Sequence, residues 1–214
     1  MARSAHPRAK AKPAKPYHHG DLRRALLDEA LRTIETQGVE HLTLRTVGAK
    51  LGVSRSALYR HFADKQSLLA TVGKEGFRKF RQALADAWEA NGHGRLGFEA
   101  MVKAYVQFAV AHPSHYRVMF GGFIESAAKD DHFMAEARAA FQVLVDALVE
   151  QQNAGEIRRD DPILMARFVW ALVHGTAMLF IDGQLPEPAQ REALEPFVAE
   201  RIYASIRQAT LRAE

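Results

Sequence analysis

Between Thr43 and Phe62 the chain starts two helices in quick succession, and this constrains the fold more than any other feature of the sequence. Thr43 and Ser54 each carry a side-chain oxygen that can accept from a free amide at a helix start. Gly52, between them, stops the first helix. Leu44, Val47, Gly48 and Leu51 share one face of that helix. Leu58 and Phe62 fall four apart in the second, which is predicted to run from Arg55 to Phe62. Upstream, Asp21 is placed to cap a helix in which Leu27, Leu31 and Ile34 recur at helical spacing, ended by Gly38. Three helices, the last two joined by a glycine-containing turn, make a helix-turn-helix.

The same grammar continues. A helix is predicted from Asp64 to about Ala90, with Gly73 and Gly76 as candidate bend points, then a loop at 91–94. Leu96 to Ala111 follows, stopped by His112-Pro113, and a short helix runs to Phe120. Asp130 or Asp131 caps a long helix ending near Gly155, and Asp161-Pro162 opens another that ends at Asp182-Gly183. A last amphipathic helix is predicted from about Ala189 to Leu211. Alternating strand patterns are scarce, so the fold class is all-α, with about nine helices. It divides into a disordered arm (1–19), a helix-turn-helix domain (20–66) and a larger helical domain (67–214).

Charge is unevenly placed. Residues 1–19 carry Arg3, Arg8, Lys10, Lys12 and Lys15 and no acid. Residues 20–65 hold eight Lys/Arg against six Asp/Glu, so at an overall net charge of +4 the remainder is negative. A positive field at one end fits a partner that is a polyanion. On the outer face of the second short helix lie Arg55, Ser56, Tyr59 and Arg60. Arginine can fork onto guanine, while tyrosine and serine can donate to phosphate. A helix of about 12 Å fits the major groove.

From Thr43 through Leu68 the chain resembles the tetracycline-repressor (TetR) family signature, in Thr43, Arg45, Gly52-Val53-Ser54, Leu58-Tyr59, His61-Phe62, Lys65 and Leu68. The resemblance implies a homodimer that binds a palindromic operator in double-stranded DNA. Thr43, Tyr59, His61 and Lys65 would bind phosphate. Arg45, Arg55 and Ser56 would lie nearest the base edges, with Arg60 at the groove wall, and the helix start at Ser54 would offer amides to the backbone. Gly48, Leu51 and Ser56 depart from the residues usual at those positions, and Ser56 bars transfer of any known operator. The basic arm is a candidate second DNA contact.

Two further stretches, His112-Pro-Ser-His-Tyr116-Arg-Val-Met-Phe120 and Trp170-Ala-Leu-Val-His174-Gly175, resemble the members of the family whose C-terminal domain is named for a Trp-His-Gly pattern. The resemblance implies a cavity for a small-molecule effector and dimerisation through the last two helices (about 162–182 and 189–211). The candidate cavity residues are Tyr105, Phe108, His115, Tyr116, Met119, Phe120, Phe123, Trp170, His174 and Met178. Large apolar side chains with a few polar groups suit a pocket, though such a stripe equally suits plain core. A small, partly apolar effector that releases the operator is expected, with repression as the default and activation as the alternative.

Other classes fit less well. The chain has no cysteine, which excludes disulfides and thiolate metal sites and makes the cytoplasm the natural compartment. The first nineteen residues lack the apolar run of a secretory signal. Pro162 to Ile181 is long enough to span a membrane, but it carries Arg167 and His174, and burial between protein helices is the reading adopted. No His-Glu-x-x-His, Gly-x-Ser-x-Gly or Walker loop occurs, so neither an enzyme nor a cofactor or metal is expected. The competing class is an adaptor that docks a protein on the helix-turn-helix scaffold.

Overall fold

The computed structural model describes residues 19–124, 131–185 and 187–207. Among these the chain forms nine helices: α1 (His19–Gln37), α2 (Leu44–Lys50), α3 (Arg55–Tyr59), α4 (Lys65–Ala90), α5 (Gly94–Ala111), α6 (Pro113–Phe120), α7 (Asp131–Ala154), α8 (Pro162–Ile181) and α9 (Pro188–Ile206). The all-α expectation holds. The basic arm, Asp130 as a cap and the stretch towards Leu211 lie outside the described residues.

Most starts follow the expected local chemistry. Thr43 Oγ1 accepts from the Thr46 amide at 3.0 Å, and Thr46 Oγ1 takes the Thr43 amide at 3.2 Å, a reciprocal cap. Ser54 caps α3 and Asp64 caps α4. Asp161 accepts from the amides of Ile163 and Leu164 at 2.8 and 2.9 Å, with Pro162 in the first turn of α8. Four boundaries differ. α1 is already helical at His19, so Asp21 lies inside it rather than capping it. α3 stops at Tyr59, because the Leu58 carbonyl accepts from both His61 and Phe62 and tightens the chain into a turn. α5 begins at Gly94 rather than Leu96, and α9 ends at Ile206. Arg207 leaves that helix in extended backbone and forms an antiparallel bridge with Ile157.

α5 is the hub of the larger domain and touches α4, α6, α7, α8 and α9, with Phe98 and Ala109 wholly buried. α4 runs unbroken through Gly73 and Gly76. A Cβ at Gly73 would stand 2.6 Å from Phe133 of α7, and one at Gly76 would stand 2.6 Å from Met119 of α6. Each glycine costs a helix about 1 kcal/mol relative to alanine. Here that cost lets two neighbouring helices approach α4 closely. The expected domain boundary at 66–67 falls in the first turn of this continuous helix.

α8 is long and apolar enough to cross a membrane. One side packs on α5, α7 and α9, burying Met165, Ala166, Val169, Val173 and Ala177. The other side exposes Leu164, Phe168, Leu172 and Leu179, and Phe197 of α9 is also exposed. Gly175 lies among these, and a Cβ there would meet nothing within 4 Å.

Candidate functional sites

The short helix α2 sits on α1, and α3 packs on α2. Lys50, at the end of α2, reaches the buried Glu29 carboxylate at 3.1 Å and the buried Thr33 hydroxyl at 3.1 Å, and Arg32 pairs with Glu29 from the other side. Sequence reasoning missed this clamp, because Glu29 reads as one more charge on an exposed helix until α2 covers it. Glu29→Ala is expected to lower unfolding free energy by about 2 kcal/mol, since it removes charge-assisted hydrogen bonds around a buried carboxylate. A urea titration followed by circular dichroism reads the loss, and an unchanged midpoint would show that the clamp is idle.

With α2 clamped, the outer surface of α2 and α3 is fixed. Thr43, Arg45, Ser54, Arg55, Ser56, Tyr59 and Arg60 are all exposed, and Tyr59 is 46% exposed. Arg45, Arg55 and Tyr59 line one shallow depression between α2 and α3, with the Arg55 guanidinium 5.5 Å from the centre of the Tyr59 ring. His61 is half-buried in the turn after α3. Lys65 differs from the other eight residues: its ammonium donates to the Val39 carbonyl at 2.8 Å and the Glu40 carbonyl at 3.4 Å, so it braces the loop before α2. Behind the face, the Gly48 Cα lies under Leu58, and a Cβ there would be 3.2 Å from Leu58 Cδ2. A methyl at this position would push the Leu58 side chain aside by a few tenths of an ångström.

The larger domain holds a partly open cavity of about 280 Å3 between α4, α5, α6, α7 and α8. Tyr105, Met119, Phe120 and Trp170 are on its wall. The other expected residues lie elsewhere. Tyr116 is wholly buried behind Tyr105, and His174 stacks on Tyr116. Phe108 packs on Phe80, and Phe123 and Met178 pack against the core away from the cavity. His115 faces α4, 3.8 Å from Glu75. Most of the wall comes instead from residues the sequence did not single out, among them Phe77 and Phe80 of α4, Met101 of α5, and Phe133 and Leu144 of α7. Their helical spacing was visible, but it is the same spacing that fills a solid core.

At the α5–α8 end of the cavity, four polar side chains meet. The Trp170 indole N–H donates to Tyr105 Oη at 3.0 Å, and the Tyr116 hydroxyl donates to the same oxygen at 3.0 Å. His174 Nδ1 is 2.6 Å from the Tyr116 oxygen and 3.1 Å from that of Tyr105. Burial pushes both phenols well above their ordinary range and pushes the His174 imidazole down, so all four groups are neutral at pH 7.

α6 joins the two regions. Its C-terminal residues Met119 and Phe120 face the cavity. At its other end the Ser114 hydroxyl donates to the Leu31 carbonyl of α1 at 3.2 Å. Beside it, Arg24 of α1 pairs with Glu75 of α4 at 3.0 Å, and Lys79 reaches the same carboxylate at 2.6 Å.

A three-helix unit with an exposed basic face, set on a helical domain with an aromatic cavity, defines a class of helix-turn-helix proteins. Comparison with known proteins gives the family. Residues 26–72 match the family model described as bacterial regulatory proteins, tetR family, and residues 98–201 match that of the tetracyclin repressor-like C-terminal domain. A protein of unknown function from Rhodococcus sp. RHA1 is 33% identical and superposes with a TM-score of 0.80, over 91% of this chain and 100% of that one. A regulatory protein in the TetR family from Rhodococcus RHA1 shares the fold at 19% identity and a TM-score of 0.70, over 88% of this chain and 98% of that one. An uncharacterized HTH-type transcriptional regulator of Bacillus subtilis, YobS, is 26% identical over 97 residues, 45% of this chain and 50% of that protein. The chain spans about half the length of the first curated relatives it matches. The chain belongs to the TetR family, which is one of transcription regulators rather than enzymes.

Proposed function

We propose that this protein is a cytoplasmic, ligand-responsive transcriptional repressor that binds a palindromic operator as a homodimer. Residues 20–66 form the DNA-reading unit, and residues from 67 onward hold the effector and the dimer contacts. Arg45, Arg55 and Ser56 read base edges. Thr43, Ser54, Tyr59, Arg60 and His61 hold the backbone, and Lys65 fixes the loop beneath them. The apolar sides of α8 and α9 pack on a second copy and set the two α3 helices about 34–36 Å apart, one turn of DNA.

The observation that carries this reading is the placement of α6, with one end at the cavity and the other at α1. An effector seated against Met119 and Phe120 displaces α6 and, through Ser114 and the Arg24–Glu75 pair, the angle of α1. It releases DNA only to the extent that it binds the displaced state more tightly.

The test is affinity for random-sequence duplex across salt concentration. Binding is expected to weaken steeply with salt, with a slope reduced by about one unit for each phosphate-contacting cation lost, as in Arg60→Ala. Tyr59→Ala is expected to weaken binding about tenfold at every salt concentration. Absence of duplex binding at low salt would favour a protein-docking adaptor instead.

A further inference from the structure

The chemical class of the effector can be read from the cavity wall; this step rests on the effector reading above. Among the described residues, the lining includes no Asp, Glu, Lys, Arg or His. Phe77, Phe80, Phe120, Phe133 and Trp170 present rings to the space, and Tyr105 carries the hydroxyl at its polar end. A carboxylate or an ammonium placed there would lose its water and gain no opposite charge, which is strongly unfavourable. The volume of about 280 Å3 is close to twice the roughly 150 Å3 of an apolar cavity that holds one benzene ring. The space therefore suits two fused rings or a similar compact hydrophobe.

The polar end adds a direction to the hydrogen bond. The phenolic oxygen of Tyr105 has two lone pairs, and it accepts from Trp170 and from Tyr116. With the Tyr116 proton on Tyr105, the network assigns the proton in the 2.6 Å contact between Tyr116 and His174 Nδ1 to the imidazole. His174 is thereby the Nδ1–H tautomer, and that nitrogen cannot accept from Tyr105 as well. Among the described residues, the hydroxyl proton of Tyr105 is left as the one donor of the cluster without an acceptor, at the edge of an otherwise apolar space.

We propose that the cavity takes a neutral, two-ring-sized hydrophobe bearing one hydrogen-bond acceptor, such as a ring ketone, which receives the Tyr105 hydroxyl proton. A ligand group that only donates finds no free lone pair there. Trp170 sits on α8, so a ligand held by Tyr105 also touches the helix whose other side carries the exposed apolar stripe.

Four probes of matched shape test this on the full chain: tetralone, tetralin, naphthoate and naphthylmethylamine. Calorimetry reads binding without DNA, so its outcome is separable from that of the duplex experiment. Tetralone is expected to bind about fivefold more tightly than tetralin, although tetralin is the more hydrophobic of the two. The two charged probes are expected to bind at least a hundredfold more weakly. Tyr105→Phe is expected to erase the preference for tetralone. In the unsubstituted protein the carbonyl stretch of bound tetralone is expected at lower frequency than in an apolar solvent, a readout that needs no variant. Tetralin binding as tightly as tetralone, an unshifted carbonyl, or tight binding of either charged probe would overturn the proposal. Loss of duplex binding with the probe order intact would leave it standing and remove only the operator reading.

Discussion

Leu172→Glu is expected to leave the protein folded and monomeric at micromolar concentration, with operator affinity reduced a hundredfold or more. Leu172 is 43% exposed on α8, in line with Leu164, Phe168 and Leu179, so a carboxylate there meets water in the isolated chain. In a two-fold dimer the same patch meets itself, and every substitution is made twice. Burying two carboxylates on an apolar face without partners costs several kcal/mol, more than a typical transient interface can absorb. Gly175→Ala separates the two states from the other direction. Its Cβ meets nothing within the chain, so the monomer should gain about 1 kcal/mol of helix propensity. If a partner helix passes close to Gly175, dimer affinity falls in the same variant. Sedimentation equilibrium reads both. A dimer that survives Leu172→Glu would place the subunit contact on another surface.

Acidification is expected to destabilise the fold between pH 6.5 and pH 4 through His115. This residue is 5% exposed, and its Nε2 makes no hydrogen bond among the described residues. Burial, with Lys79 next and smaller contributions from His112 and Arg24, pushes the imidazole down to about 4, against the opposing pull of Glu75. In the unfolded chain the same side chain protonates near 6.5. Unfolding therefore takes up a proton in the interval between those values, and stability falls as pH drops from 6.5 to 4 and then levels. The loss is about 2–3 kcal/mol, and it acts on α6, between the cavity and α1. His112 and His174 are also pushed down by burial and add slope of the same sign. His93 is held up by Glu150 and Glu89 and acts in the opposite sense. His115→Leu is expected to flatten most of the dependence in urea midpoints measured at pH 7 and pH 4.5. A native-like slope in that variant would move the effect to the other histidines.

What was legible in the sequence was local. A threonine, serine or aspartate before an apolar run caps a helix by contacts within three residues, so Thr43, Ser54, Asp64 and Asp161 could be read without the fold. The end of α3 could not, because a four-residue spacing from Leu58 to Phe62 buries both side chains whether the chain stays helical or turns. The early start of α5 has no side-chain cap to announce it: His93 makes none, and the first turn passes close to α4, where a Cβ at Gly97 would lie 2.8 Å from the Trp88 ring.

The cavity was legible in kind but not in outline. Tyr105 and Trp170 announced an aromatic region with polar handles, yet Tyr116 and His174 sit one layer behind them. Nothing local separates an aromatic side chain that lines a void from one that fills it, because the difference is a sum over five helices. The exposed face of α2 and α3 was more legible, since outward residues on a short helix follow from spacing alone. Lys65 shows the limit of that reasoning: whether an ammonium faces a ligand or a neighbouring carbonyl depends on where the loop after α1 passes.

The most direct test of the account is selection of binding sites from a random duplex pool at two salt concentrations, with the native chain and with Tyr59→Ala in parallel. The account predicts enrichment of a palindrome with half-site centres about one helical turn apart, weaker at the higher salt and lost in the variant. Recovery of no sequence at the lower salt, or of a palindrome equally enriched by Tyr59→Ala, would contradict it.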